Sequence, residues 1–294
     1  MNLIDEIKIS FKRGSSLTKL IYLNLGVFLF IKIVHIFFFL FSNPEAIEYF
    51  IRWLAVPSNL SELLRKPWTA LTYMFVHEGF LHILFNLLWL FWFGKIFLEY
   101  LDQKKLVGVY ILGGLSGAFL YVFSFNVFPV FESVAAESIA IGASAAVIAI
   151  VIAISVYVPN YTVYLLLFGP VKIKYIAILI FILTSILDFS TNTGGKLAHI
   201  GGALFGFIYT YQYRKGTDIS KGFNRLLDSI LSLFKPKTEL KVKHKKPMTD
   251  REYNKMKVKE QEEMNRILDK ISKAGYASLT KEEKEILFKM GEKK

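Results

Sequence analysis

Six apolar runs, each near the length that crosses a bilayer, constrain this chain more than any other feature: residues 19–41, 79–98, 106–127, 142–158, 174–190 and 197–213. A helix of about 20 apolar residues spans the hydrocarbon core, where every backbone polar group has to be satisfied within the protein. The sequence therefore predicts an all-α polytopic membrane protein, a bundle of six transmembrane helices in which the shorter runs make thin or recessed spans. Composition agrees, with 53% hydrophobic residues and 16% aromatic, well above soluble averages. The first run is longer than a signal-peptide core and lacks a small-residue cleavage site, so it is expected to stay as a helix. No cysteine is present, which removes disulfides, thiolate metal sites and a cysteine nucleophile.

Charge divides the chain into four parts: an N-terminal segment 1–18, the six-helix domain 19–213, a basic linker 214–248 and a cytosolic helical hairpin 249–294. Residues 214–294 hold 22 Lys and Arg against 13 Asp and Glu, whereas residues 1–213 hold 14 against 11. A basic stretch beside a bilayer attracts anionic headgroups, by about 1 kcal/mol per residue close to the surface. The tail is thus expected to contact anionic membrane lipids. Nucleic acid is not expected, because aromatic residues are not interleaved as stacking platforms. Short segments on one side carry Lys8, Lys12, Arg13, Lys19, Lys95, Lys104, Lys105, Lys172 and Lys174; the other side carries Arg52, Arg65, Lys66 and Lys196. The positive-inside rule then puts both termini in the cytoplasm. The long segment 43–78 is expected to lie in the outer interface, and Tyr164 to Phe168 to form an interfacial turn. In the tail, Thr249-x-x-Glu252 and Thr280-x-x-Glu283 read as capping boxes that open two helices.

Three polar residues open apolar helices: His82, Ser144 and His199. With the N-terminus inside, the second, fourth and sixth helices all run inward from the outer face, so these residues share one depth. Asn86 follows His82 by four residues and lies on the same helix face. A serine hydroxyl needs a base within hydrogen-bond reach to act as a nucleophile, and His199 is the natural base. His82 and Asn86 are donors for a developing oxyanion, alongside free backbone N–H groups at the start of the fourth helix. Asp188 is the only acid near the fifth and sixth helices and is not indicated as a third member.

The segments Leu81-His82-Ile83-Leu84-Phe85-Asn86, Gly142-Ala143-Ser144-Ala145 and Ala198-His199-Ile200-Gly201-Gly202-Ala203-Leu204-Phe205-Gly206 resemble, in order and in helix number, the three signatures of rhomboid intramembrane serine proteases. The resemblance covers about residues 19–213. It implies a serine endopeptidase with a Ser144/His199 dyad and an oxyanion hole formed by His82 and Asn86, working without cofactor or metal. Its substrates would be transmembrane proteins cleaved near the outer ends of their helices. The absence of cysteine and the lack of a targeting segment suit a multi-pass protein of a bacterial plasma membrane. Three positions depart from the family pattern. Ala145 stands where many members have glycine, so its methyl is expected to crowd the oxyanion site. Ile148 replaces an aromatic residue that stacks on the histidine. Pro67-Trp68-Thr69 lacks the arginine usual in the first loop.

Competing readings rest on the same residues. Small residues around Ser144, with Gly202-x-x-x-Gly206 opposite, also make a close-packing face. Gly114-Leu115-Ser116-Gly117 is a second glycine-flanked serine, but Ser116 lies mid-helix on a Gly113-x-x-x-Gly117 face. His77-Glu78-Gly79-Phe80-Leu81-His82 resembles a zinc-protease box with one residue too many, which turns its histidines apart. Lys32 reads as a snorkelling lysine and His35 as an interfacial histidine; His244 has no partner by spacing. The rival function is a catalytically silent rhomboid-like scaffold that binds client helices, suggested by Ala145 and Ile148; retention of all four polar groups argues against it. A transporter is disfavoured because no broken or charged helices occur at mid-membrane beyond Lys32.

Overall fold

The computed structural model describes residues 2–43, 45–166, 168–187, 189–190, 192–233 and 249–291. Contacts divide the chain into two compact units, Met1–Lys235 and Pro236–Lys294. Asp188 and the stretch 234–248, with His244 and most of the expected Lys-rich linker, lie outside the described residues.

The first unit begins with α1 (Leu3–Arg13) and α2 (Ser16–Leu40). Ser15 separates them, its hydroxyl capping α2 at the Thr18 N–H. The segment expected in the outer interface folds into α3 (Ala46–Leu54), strand β1 (Val56–Pro57), α4 (Leu60–Arg65), α5 (Thr69–Thr72) and a 3₁₀ turn at Tyr73–Phe75. Then come α6 (Phe80–Tyr100), α7 (Gln103–Val127), strand β2 (Ile139–Ala140), α8 (Ser144–Tyr157), strands β3 (Thr162–Leu165) and β4 (Gly169–Lys172), α9 (Ile173–Ser185), α10 (Thr193–Arg214) and α11 (Lys221–Leu233).

The unit is mostly helical, and among the described residues three helices, α2, α6 and α7, are long and apolar enough to cross a membrane. The remaining expected spans are shorter or less apolar. α8 has 14 residues and α9 has 13, about 20 Å each at helical rise. α9 ends at Ser185, five residues before the expected end of its run. The structure adds local detail at four places. Where an interfacial turn is expected, Thr162–Leu165 pairs antiparallel with Gly169–Lys172, Thr162 opposite Lys172; the alternation Thr162-Val163-Tyr164-Leu165 favours it. The N-terminal segment contains α1, and the start of the expected linker contains α11. Both carry apolar residues at helical spacing, Ile7 and Phe11 in one and Phe223, Leu226 and Ile230 in the other. Finally, the Lys32 head group has a defined partner. Its Nζ donates to the Glu78 carbonyl at 2.5 Å, tying α2 to the residues just before α6.

α8 is the hub. It is hydrophobic all round and buried from Ala145 to Ser155 apart from Ile152, the pattern of a helix enclosed by others. Two neighbours approach it through glycines, as the small-residue faces predict. A Cβ on Gly202 or Gly206 of α10 would stand 2.1 or 2.3 Å from the carbonyl oxygens of Ala145 or Ala149. On the other side, Cβ atoms on Gly113 or Gly117 of α7 would overlap the methyl groups of Ala149 and Ala145. No side chain larger than hydrogen fits at these contacts, so backbone packs on side chain and backbone directly. Polar cross-links complete the bundle: buried Asn24 of α2 donates to the Tyr110 hydroxyl of α7 at 3.0 Å, and Tyr73 donates to the Gly114 carbonyl at 2.6 Å.

The second unit holds α12 (Asp250–Ala274) and α13 (Lys281–Gly291). Thr249 and Glu252 form the full reciprocal capping box expected. Glu283 caps Thr280 and also accepts from Lys270 of α12 at 2.8 and 3.0 Å; the Lys270 bonds hold its carboxyl down at about 2.

Candidate functional site

The turn entering α8 is held from three directions. β2 pairs with β1, Val56 opposite Ala140 and Pro57 opposite Ile139. The Gly142 N–H donates to the Tyr73 carbonyl at 2.9 Å. The Ala143 N–H donates to His77 Nε2 at 3.3 Å. Gly142 has φ +117°, a conformation L side chains rarely adopt, and a Cβ there would lie 2.8 Å from His82 Cε1 and 2.9 Å from Nε2. Glycine is therefore required twice, by the turn and by the imidazole against it. The result places Ser144 at the first position of α8.

Ser144 Oγ lies 2.7 Å from His199 Nε2. The other ring nitrogen, Nδ1, lies 3.0 Å from the Thr184 carbonyl oxygen at the end of α9. A carbonyl only accepts, so Nδ1 carries the proton, Nε2 presents its lone pair, and the serine hydroxyl donates to it. The tautomer is fixed by a backbone group where a carboxylate would otherwise serve. α8, α9 and α10 each contribute one member of this chain of hydrogen bonds.

His82, Asn86, Ser144 and His199, predicted from separate parts of the sequence, all line one cavity of about 520 Å³. Its remaining wall is mainly apolar, including Phe85, Trp89, Val147 and Ile148. Of these four residues His82 is exposed, whereas Asn86 is buried. One Asn86 Nδ2 hydrogen is spent on the His82 carbonyl at 2.9 Å, which leaves its second hydrogen free for another acceptor. Ile148 lines the cavity as its position relative to Ser144 predicts. The expectation for Ala145 is overturned: its methyl sits where a Cβ on Gly117 of α7 would be only 2.5 Å away, so it packs between helices and points at α7.

The other serine, Ser116, donates to the Gly201 carbonyl at 3.0 Å and pins α7 to α10; it does not line the cavity. Among the described residues no cluster of His, Cys, Asp or Glu could hold a metal ion. His77 and His82 approach each other, with ring centroids 5.0 Å apart, but His77 Nε2 is occupied by the Ala143 N–H and its Nδ1 by the Phe75 carbonyl at 3.2 Å. Sequence reasoning weighed His77 only as a zinc ligand and missed this role in the turn. Its signal was present, as a histidine in the loop just before the second histidine's helix. The Thr184 carbonyl, a backbone group, had no signal at all.

Comparison with known families gives a match to the Rhomboid domain over residues 64–216, just over half of the chain. Residues 248–292 match a family of unknown function, DUF6576, which coincides with the α12–α13 unit. No curated protein matches. The matched range contains Ser144, His199, His82 and Asn86, and the chain is a membrane protein that belongs to the rhomboid family.

Proposed function

We propose that this protein is an intramembrane serine endopeptidase that cleaves transmembrane-helix substrates near the outer membrane face. The observation that carries the proposal is the 2.7 Å contact between Ser144 Oγ and a His199 Nε2 whose lone pair is directed at it by the Thr184 carbonyl. In the reaction His199 takes the hydroxyl proton as Ser144 attacks the scissile carbonyl, then returns it to the leaving amine. His82 and the free hydrogen of Asn86 face the oxygen that becomes negative, the group whose stabilisation usually dominates acyl transfer. Water then hydrolyses the acyl-enzyme by the same route in reverse. No cofactor or metal enters the scheme.

The topology belongs to the same proposal. Six helices, α2, α6, α7, α8, α9 and α10, span the membrane, with both termini in the cytoplasm. α8 is about 21 Å long at helical rise, shorter than the hydrocarbon core, so Ser144 at its start lies recessed below the outer surface. A substrate helix has to unwind there, because a helical scissile bond keeps its carbonyl hydrogen-bonded.

Fluorophosphonate labelling of the purified protein, with cleavage of a model transmembrane substrate, tests this reading. Labelling lost in Ser144→Ala and His199→Ala and retained in Ser116→Ala is the expected result. A folded wild type that neither labels nor cleaves would favour a silent scaffold.

A further inference from the structure

α1 and α2 meet at Ser15 as two arms of a wedge, held together by a hydrogen bond between Tyr22 Oη and Ser10 Oγ at 3.2 Å. The walls are apolar: Ile7 and Phe11 on α1, and Leu23, Val27 and Phe30 on α2. Every charged side chain lining the wedge is a lysine, Lys8 and Lys12 from α1 and Lys19 from α2. The concavity measures about 1090 Å³. Gly26 also lines it, and an added Cβ there would meet nothing within 4 Å beyond its own turn of helix.

Glycine inside a helix costs about 1 kcal/mol relative to alanine, and in membrane helices it commonly admits something that packs close. No described part of this protein packs on Gly26. A second transmembrane helix is a poor fit, since close helix approach needs small residues one turn away and Gly26 is flanked at those spacings by Tyr22, Leu23, Leu29 and Phe30. A single hydrocarbon chain is far thinner than a helix and passes between such side chains. The dimensions match as well. Lys19 to Phe30 covers about 16 Å at helical rise, close to one leaflet of a hydrocarbon core of about 30 Å.

We propose that the α1–α2 wedge is a binding site for an anionic phospholipid, one acyl chain lying over Gly26 along α2 and the headgroup phosphate held by Lys8, Lys12 and Lys19. α2 has 25 residues, about 37 Å, which exceeds the hydrocarbon thickness and leaves its first turns, with Lys19, at headgroup depth. Three ammonium groups without an acid in the lining favour a lipid with net negative charge over a zwitterionic one, which brings its own cation. α1 would then act as an interfacial helix fixed by lipid as well as by its bond to Tyr22. The site is independent of the Ser144 chemistry.

The test is native mass spectrometry of the full chain released from nanodiscs of equimolar phosphatidylglycerol and phosphatidylcholine. The wild type is expected to retain phosphatidylglycerol selectively. Each lysine contributes about a fivefold preference, so Lys8→Gln, Lys12→Gln and Lys19→Gln together lower that selectivity by about 100-fold. Gly26→Leu adds bulk to the wedge at a position where a Cβ has open space and is expected to lose the retained lipid while keeping the wild-type circular dichroism spectrum and thermal transition. Equal retention of the two lipids, or unchanged retention in the variants, overturns the proposal. So does efficient disulfide cross-linking between copies of Gly26→Cys, a unique cysteine in this chain, since a second copy would then cover the wedge.

Discussion

Two serines of this protein follow a glycine by two residues, in Gly114-Leu115-Ser116-Gly117 and Gly142-Ala143-Ser144-Ala145, and have opposite surroundings. Ser116 lies within α7, where the helix ladder already satisfies the backbone; its hydroxyl donates to the Gly201 carbonyl and joins two helices. Ser144 lies at the first position of α8, beside backbone N–H groups with no partner in the helix, and its hydroxyl meets an imidazole. What separates a helix clasp from a candidate nucleophile is the position in the helix and the partner's ability to accept a proton. The flanking glycines do not separate them, because small residues serve packing in both places. The histidine motif repeats the lesson within two residues. Gly201 abuts the Ser116 backbone, where a Cβ would stand 2.5 Å from the carbonyl oxygen, whereas Gly202 abuts that of Ala145, so one motif holds both serines.

The sharpest break between the two sites is Ser144→Ala. Substrate cleavage is expected to fall by about 10⁴-fold or more, as loss of a nucleophile does in serine proteases, with the thermal transition hardly moved. Retained cleavage would leave the two serines without the functional difference argued for them. Gly142→Ala comes next. Its Cβ meets the His82 ring and its φ is positive, so His82 has to move while Ser144 and His199 stay in contact. Loss of one oxyanion donor costs about 10²- to 10³-fold in kcat, and that loss is expected with fluorophosphonate labelling slowed but not abolished. A variant as active as wild type would remove His82 from the oxyanion site.

Gly202→Ala and Gly201→Ala sharpen the comparison from the α10 side. Each methyl meets backbone within 2.5 Å, and overpacking of this kind costs roughly 1–3 kcal/mol. Both are expected to lower the thermal transition. Gly202→Ala presses on the residue next to Ser144 and should reduce kcat further than its stability loss explains, while Gly201→Ala presses on the Ser116 side. Equal effects on kcat in the two variants would mean that α10 moves as one body and that neither glycine serves one serine more than the other.

Much of this was readable in the sequence because its causes are local. Apolar runs mark the helices, the i and i+4 spacing puts His82 and Asn86 on one face, and the Gly-x-x-x-Gly pairs announce the faces of α7 and α10 that enclose α8. What was hidden depends on contacts between distant segments. β1 pairs with β2 across about eighty residues through only two residues each, too few for any alternation to show. The Thr184 carbonyl that orients His199 belongs to every residue type alike. Adjacency to Ser144 makes Ala145 look like an intruder on the oxyanion site, but along a helix successive side chains point about 100° apart, and its methyl faces α7.

The smallest effect expected is the most informative control. In Ser116→Ala the hydroxyl is lost, and the Gly201 carbonyl it served keeps its own place in the α10 ladder, so no buried acceptor is stranded. Hydrogen bonds between membrane helices average about 0.6 kcal/mol in double-mutant cycles, and a loss of that size is expected in a denaturation series, with cleavage and labelling close to wild type. The measurement separates two ways in which a glycine-flanked serine contributes to this bundle. If Ser116→Ala lowered kcat as Gly142→Ala does, the α7–α10 clasp would be setting the position of His199, two residues before Gly201, and Ser116 would be a positioning residue for the dyad. If only stability moves, α10 is held at the dyad by its glycine contacts with α8, and the two serines act independently.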